Sequence, residues 1–100
     1  MTNNEVWITG IGLVSCYGEG AQFHWKKMGA ASAPDPVVDE ETYKPYCVHP
    51  LPEMDWSKQI PRRGDQRQME NWQRLGTYTA GLALDDAGIK EDEELVSTMD

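Results

Sequence analysis

The stretch VWITGIGLVSCYG, residues 6–18, constrains the fold more than any other part of this chain. Val6, Ile8, Thr9, Ile11 and Val14 are β-branched and close together, so residues 5–14 read as a strand. The apolar run is nearly continuous, the pattern of a strand covered on both faces. A buried strand must pair its backbone N–H and C=O groups, because leaving them unpaired is costly. No second stretch of comparable strand character exists in the 100 residues. The neighbouring strands are therefore expected on another chain or in sequence beyond Asp100. On this reading the chain is an N-terminal piece of a larger α/β protein.

The glycines in this stretch admit more than one chemistry. Gly10, Gly12 and Ser15 spell G-x-G-x-x-S. A dinucleotide site needs a third glycine or alanine there, a helix at once, and an acidic residue about 20 positions on. Here the next helical pattern starts only near Gly20, and no acidic residue closes a second strand. Gly10 and Gly12 fit better as points of close backbone packing. Cys16 follows the strand as a nucleophile would, but a nucleophilic thiol needs a base and an orienting group. His24 and His49 are the only histidines, and neither has an acidic orienter at a suggestive spacing. Cys16 reads instead as a small turn residue, and His24 as a polar residue of the first helix. Cys47 and His49 lack the second ligand pair that zinc requires.

Four further zones follow. In GAQFHWKKM, residues 20–28, Ala21, Trp25 and Met28 share one helical face, and Gly29 stands where a helix would stop. Residues 29–62 hold all six prolines, which excludes a long helix or a central strand. Tyr43, Tyr46 and Trp56 argue that this excursion is ordered. Residues 65–87 read as one long helix, with Asp65 and Gln68 as its capping box. Met69, Trp72, Leu75, Gly76, Thr79, Leu82 and Ala83 trace its stripe, and Gly88–Ile89 fit a Schellman ending. Gly76 and Gly81 each cost about 1 kcal/mol against alanine, either as a tolerated loss or to admit another backbone. The last stretch, KEDEELVSTMD, is acidic and solvated.

Charge narrows the partners. Nine basic against 17 acidic residues give a net charge of −8, which argues against general attraction to nucleic acid or an anionic membrane. The N-terminus has no signal-peptide pattern, and two cysteines make no disulfide framework. A cytoplasmic protein with reduced thiols is the expectation. Arg62, Arg63 and Arg67 form the densest basic cluster, either a solvated face or a docking site for an acidic partner.

Three segments, at the two ends of residues 1–89, resemble a known family. VWITGIGLVSCYG resembles the opening strand of β-ketoacyl-acyl-carrier-protein synthases, which commonly reads V-x-I-T-G-x-G-x-V-S-P-x-G. FHWKKMGAA resembles their F-W-x-x-L-x-x-G segment, and RQMENWQRLGTYTAGLALDDAGI their R-x-M-D-x-F-x-Q-x-A…A-L-x-D-A-G-L helix. The order and spacing agree, while the Pro-rich middle resembles the family only loosely. The resemblance implies residues 1–100 as the N-terminal part of a thiolase-like fold, with one core strand, a short helix, a Pro-rich excursion and a long helix. It implies decarboxylative condensation of malonyl-carrier protein with an acyl thioester, in fatty-acid or related lipid biosynthesis. The family nucleophile and its two histidines lie downstream, and Cys16 stands where relatives have proline, so no catalytic residue is expected in this chain. Arg62, Arg63 and Arg67 fall where the family docks acyl carrier protein, although Gly64 and Gln68 occupy positions often basic in relatives. Alanine, rather than Gly76, and often a residue larger than Gly81 are usual there. A homodimer or heterodimer is implied, with no cofactor, metal, nucleic acid or membrane. The alternatives are a non-catalytic partner that sets chain length in an active synthase, and a free-standing interaction module.

Overall fold

The computed structural model describes residues 4–29 and 35–98. They form a mixed helix and strand structure with a two-stranded antiparallel sheet and four α-helices. Strands β1 (Val14–Ser15) and β2 (Gly18–Glu19) pair with Val14 opposite Glu19 and Ser15 opposite Gly18. Gly18 and Gly20 adopt φ of 140° and 98°, the left-handed side that glycine tolerates, and this turns the chain sharply into helix α1 (Ala21–Met28).

Residues 4–13 do not form the expected core strand. Val6 is 93% exposed and Ile8 83%. No β partner lies beside them among the described residues. The physical reason is the one that made the strand informative: its ladder needs neighbours that these residues do not supply. What holds the segment is helix α3 (Asn71–Ala87). A Cβ on Gly10 would collide with the Ala83 carbonyl and sit 2.7 Å from the Ala87 nitrogen. One on Gly12 would collide with the Thr79 carbonyl and sit 2.9 Å from the Ala83 nitrogen. Thr79, Ala83 and Ala87 recur every fourth residue, so they make a small-residue track along α3 on which the glycines lie. The close packing expected of Gly10 and Gly12 is therefore present, against a helix rather than a strand. The Ile11 N–H donates to the Asp86 carboxylate at 2.9 Å.

Helix α1 has the expected bounds, but the face named from its periodicity points outward. Trp25 and Met28 are exposed, and the buried residue is His24. The Pro-rich excursion is folded over its described part, residues 35–62; residues 30–34 lie outside the described residues. An isolated antiparallel bridge joins Asp39 to Val48. Asp39 accepts the N–H groups of Glu41 and Thr42, which tightens the intervening turn. The excursion ends in a short 3-10 turn, Trp56–Lys58, capped by Asp55.

The expected single helix over 65–87 is two helices. Helix α2 runs Arg63–Gln68, so Asp65 lies inside its first turn rather than at the N-cap. Met69 is extended, and α3 starts afresh behind Glu70. Two local devices favour the break. Glu70 and Gln73 make a capping box, the Glu70 N–H donating to Gln73 at 2.7 Å. Arg74 donates to the Met69 carbonyl and to the Gln66 carbonyl, both at 2.7 Å, adding a charged donor at the end of α2, where Gln66 also accepts the Met69 N–H. The far end follows the sequence reading. Gly88 is left-handed, its N–H donates to the Asp85 carbonyl at 3.0 Å, and the Ile89 N–H reaches the Leu84 carbonyl at 3.1 Å. The acidic tail, described to Thr98, is largely exposed but folds a short helix, α4 (Glu93–Ser97), capped by Asp92.

Neither glycine within α3 admits another backbone. Gly76 faces open space, and Gly81 faces the Gln59 side chain. Gln59 in turn donates to Asp85 at 2.7 Å and accepts from Lys90 at 2.5 Å, tying the 3-10 turn to the end of α3. The interior is thin: Tyr78 and Ile60 are the buried hydrophobic residues among those described. The radius of gyration is 16.9 Å, against about 13 Å for a compact chain of this length. No described helix is long and apolar enough to cross a membrane.

Candidate functional site

The histidine read from the sequence as a polar residue of the first helix is buried, as is the Tyr78 phenol, among the described residues. His24 Nδ1 lies 2.7 Å from the Gly20 carbonyl, which can only accept, so Nδ1 carries the hydrogen. Nε2 is then the acceptor, and the Ser15 hydroxyl donates to it at 2.5 Å. Ser15 Oγ also accepts the Tyr17 N–H at 3.2 Å. This serine–histidine pair has the hydrogen-bond order of a nucleophile and its base. Its orienter is a backbone carbonyl one helical turn earlier, not a carboxylate. The pair ties the β1–β2 turn to α1, and that is the chemistry the geometry supports.

The other polar candidates stand apart. Cys16 sits in the β1–β2 turn, half-buried, and the base nearest in sequence, His24, is engaged by Ser15 instead. Cys47 is exposed, and the nearby His49 donates through Nδ1 to the Val37 carbonyl at 2.8 Å. No group of three metal-ligating side chains occurs among the described residues. Tyr78 is fully buried, donates to the Glu19 carboxylate at 2.7 Å and meets Trp56 edge-on at 5.7 Å. Burial first, then the Glu19 carboxylate, pushes its phenol above the ordinary value of 10.0.

The arginines are the part of the site that the fold gathers. Arg63 and Arg67 lie one turn apart on α2. With Gln66, Arg74 from α3 and the Trp56 ring they line a cavity of about 470 Å³. Arg62 is exposed at the N-cap of α2 and does not line it. On the other side of Trp56 an aromatic cleft of about 850 Å³ is lined by Tyr43, Leu51, Met54, Trp72 and Leu75, with Glu53 on its wall. Sequence reasoning found Arg63 and Arg67 but missed Arg74 and Trp56 as their neighbours, and Trp72 as part of the cleft that shares Trp56 with them. The available signal was E-N-W-Q at 70–73, whose first and last residues restart the helix and so aim Trp72 and Arg74 to either side.

Compared with protein-family models, curated proteins and solved structures, the chain matches none.

Proposed function

We propose that this chain is the N-terminal segment of a β-ketoacyl-acyl-carrier-protein synthase, an acyltransferase that extends acyl chains by decarboxylative condensation. The observation that carries the reading is the state of residues 6–12. They are apolar, they expose Val6, Trp7 and Ile8, and yet two glycines seat them on the small-residue track of α3. A segment closed on one side by a helix and open elsewhere is built to receive neighbouring strands and a second helical layer. A thiolase-like domain supplies both, and the first and last of the segments that resemble the family are the two elements in contact here.

In this reading the nucleophilic cysteine and its two histidines belong to sequence after Asp100. The cysteine takes the acyl group as a thioester; loss of CO₂ from the malonyl unit leaves a carbanion that attacks that thioester and releases the thiol. The present residues supply scaffold and docking. Arg63 and Arg67, with Arg62 beside them, attract the acidic carrier protein. A cytoplasmic, dimeric enzyme of lipid biosynthesis is part of the same proposal.

The test compares two proteins in one assay with acyl- and malonyl-carrier protein. The product of the intact reading frame is expected to condense them, and the 100-residue chain alone is not. Condensation by the short chain that disappears with Cys16→Ala would overturn the assignment of roles. An intact product that binds the carrier but never condenses would point to the non-catalytic partner instead. Changing Arg62, Arg63 and Arg67 to glutamate is expected to raise KM for the carrier-linked substrate severalfold and spare a small thioester mimic, since each exposed pair is worth about 0.2–1 kcal/mol.

A further inference from the structure

Trp56 separates two cavities of opposite character. On one side Arg63, Arg67 and Arg74 face a space with no carboxylate on its wall. On the other, Tyr43, Leu51, Trp72 and Leu75 line a larger apolar cleft. The break between α2 and α3 puts them side by side, because Arg67 lies in the last turn of one helix and Trp72 in the first turn of the next. Trp72 is 72% exposed, a large apolar surface to leave in water at the rim of a cleft. Neither ion pair among the described residues involves an arginine. Arg74 is committed to the end of α2 by its hydrogen bonds to Gln66 and Met69. It is therefore a fixed wall, and Arg63 and Arg67 are the groups able to meet a ligand.

We infer that the two cavities form one bipartite docking site for an acidic polypeptide segment that carries a single apolar anchor. Carboxylates of the partner meet Arg63 and Arg67, and the anchor packs on Trp72 in the cleft. Charge complementarity selects this occupant: a chain of net charge −8 repels an acidic partner over most of its surface, so the arginine cavity sets where such a partner lands. Arginines alone give a salt-sensitive attraction without register. The adjoining Trp-lined cleft supplies the water-excluding centre that affinity and register require. Glu53, on the wall of the cleft, keeps acidic residues out of it and so fixes which way the segment runs. The inference deepens the carrier-docking proposal and rests on it for naming the partner as the carrier protein.

The test uses the whole 100-residue chain and two labelled 16-residue peptides, each with five glutamates and no basic residue. One has a central leucine, and the other has serine at that position. Fluorescence anisotropy reads binding at several salt concentrations. The leucine peptide is expected to bind about tenfold more tightly. Trp72→Ala is expected to erase that preference and keep the salt dependence. Arg63→Gln with Arg67→Gln is expected to weaken both peptides, flatten the salt dependence and keep the leucine preference. Equal binding of the two peptides to the parent chain overturns the inference whatever the variants do, as does a leucine preference that survives Trp72→Ala. Carrier protein that fails to compete with the leucine peptide removes the carrier as the partner and leaves the bipartite site standing.

Discussion

A methyl group added at Gly12 tests how residues 6–12 are held. The new Cβ would overlap the Thr79 carbonyl and lie 2.9 Å from the Ala83 nitrogen and 3.1 Å from the Thr79 carbonyl carbon. These are backbone atoms inside a hydrogen-bonded helix and cannot rotate aside as a side chain would. Gly12 has no positive φ, so alanine is not strained by its own backbone. The cost is steric: the segment must lift from α3. Overpacking of this kind costs about 1–3 kcal/mol, and the stiffer unfolded chain returns about 0.4–1 kcal/mol of it. Gly76→Ala is the matched control, because nothing lies within 4 Å of the position. There alanine is expected to stabilise by about 1 kcal/mol through helix propensity alone. In a domain of this size 1 kcal/mol moves Tm by about 4–8 °C, so the two variants are expected to melt roughly 10–20 °C apart, on either side of the parent. Far-UV circular dichroism at one protein concentration reads the transition. Amide exchange at Ile11, bonded to Asp86, reads whether the segment has detached. A Gly12→Ala chain that melts with the parent and keeps Ile11 protected would refute the placement of the segment on α3.

Three more outcomes are expected. The chain self-associates through Val6, Trp7 and Ile8, so sedimentation finds oligomers that Val6→Lys with Ile8→Lys disperses; a concentration-independent monomer with a sharp melt contradicts this. Arg74→Met costs about 1–3 kcal/mol and some helicity, because the Gln66 and Met69 carbonyls lose a charged donor; Arg74→Lys restores only part of it, since the shorter side chain has no second nitrogen to hold Asn71 Oδ1 while the first serves both carbonyls, and full rescue by lysine would count against the junction described. Tyr78 holds its proton more tightly when folded, so its contribution is whole below the ordinary value of 10.0 and is lost as pH rises above it, where the unfolded chain ionises first. Urea unfolding at pH 8, 10 and 11 is expected to show a smaller alkaline loss in Tyr78→Phe than in the parent, and equal losses would show that Tyr78 is not the group responsible.

Local signals were enough for some of this structure. The bounds of α1, the left-handed Gly88 with its Schellman bonds, and the turn at Cys16 each depend on residues within one or two turns of chain, and the sequence determines them by itself. The need of Gly10 and Gly12 for a close neighbour was also legible, since glycine in an apolar run has few other uses. Other features depend on which distant groups meet, and the tertiary structure decided them. The break at Met69–Glu70 interrupts a stripe that is continuous in sequence, because the Glu70–Gln73 capping box and the Arg74 guanidinium satisfy backbone groups that periodicity does not register. His24 is buried because Ser15, nine residues earlier, returns to its ring, and nothing in the spacing of an amphipathic helix calls for that. Arg63 and Arg67 were visible as a cluster, but the choice of Arg74 over Arg62 as their companion, and of Trp56 as the wall they share with the aromatic cleft, follows from how the two helices and the 3-10 turn come together. The strand pattern at 5–14 was plain in the sequence, and its fate was not: pairing is a property of the partner as much as of the strand, and among the described residues Gly10 and Gly12 lie against a helix, with no strand beside them.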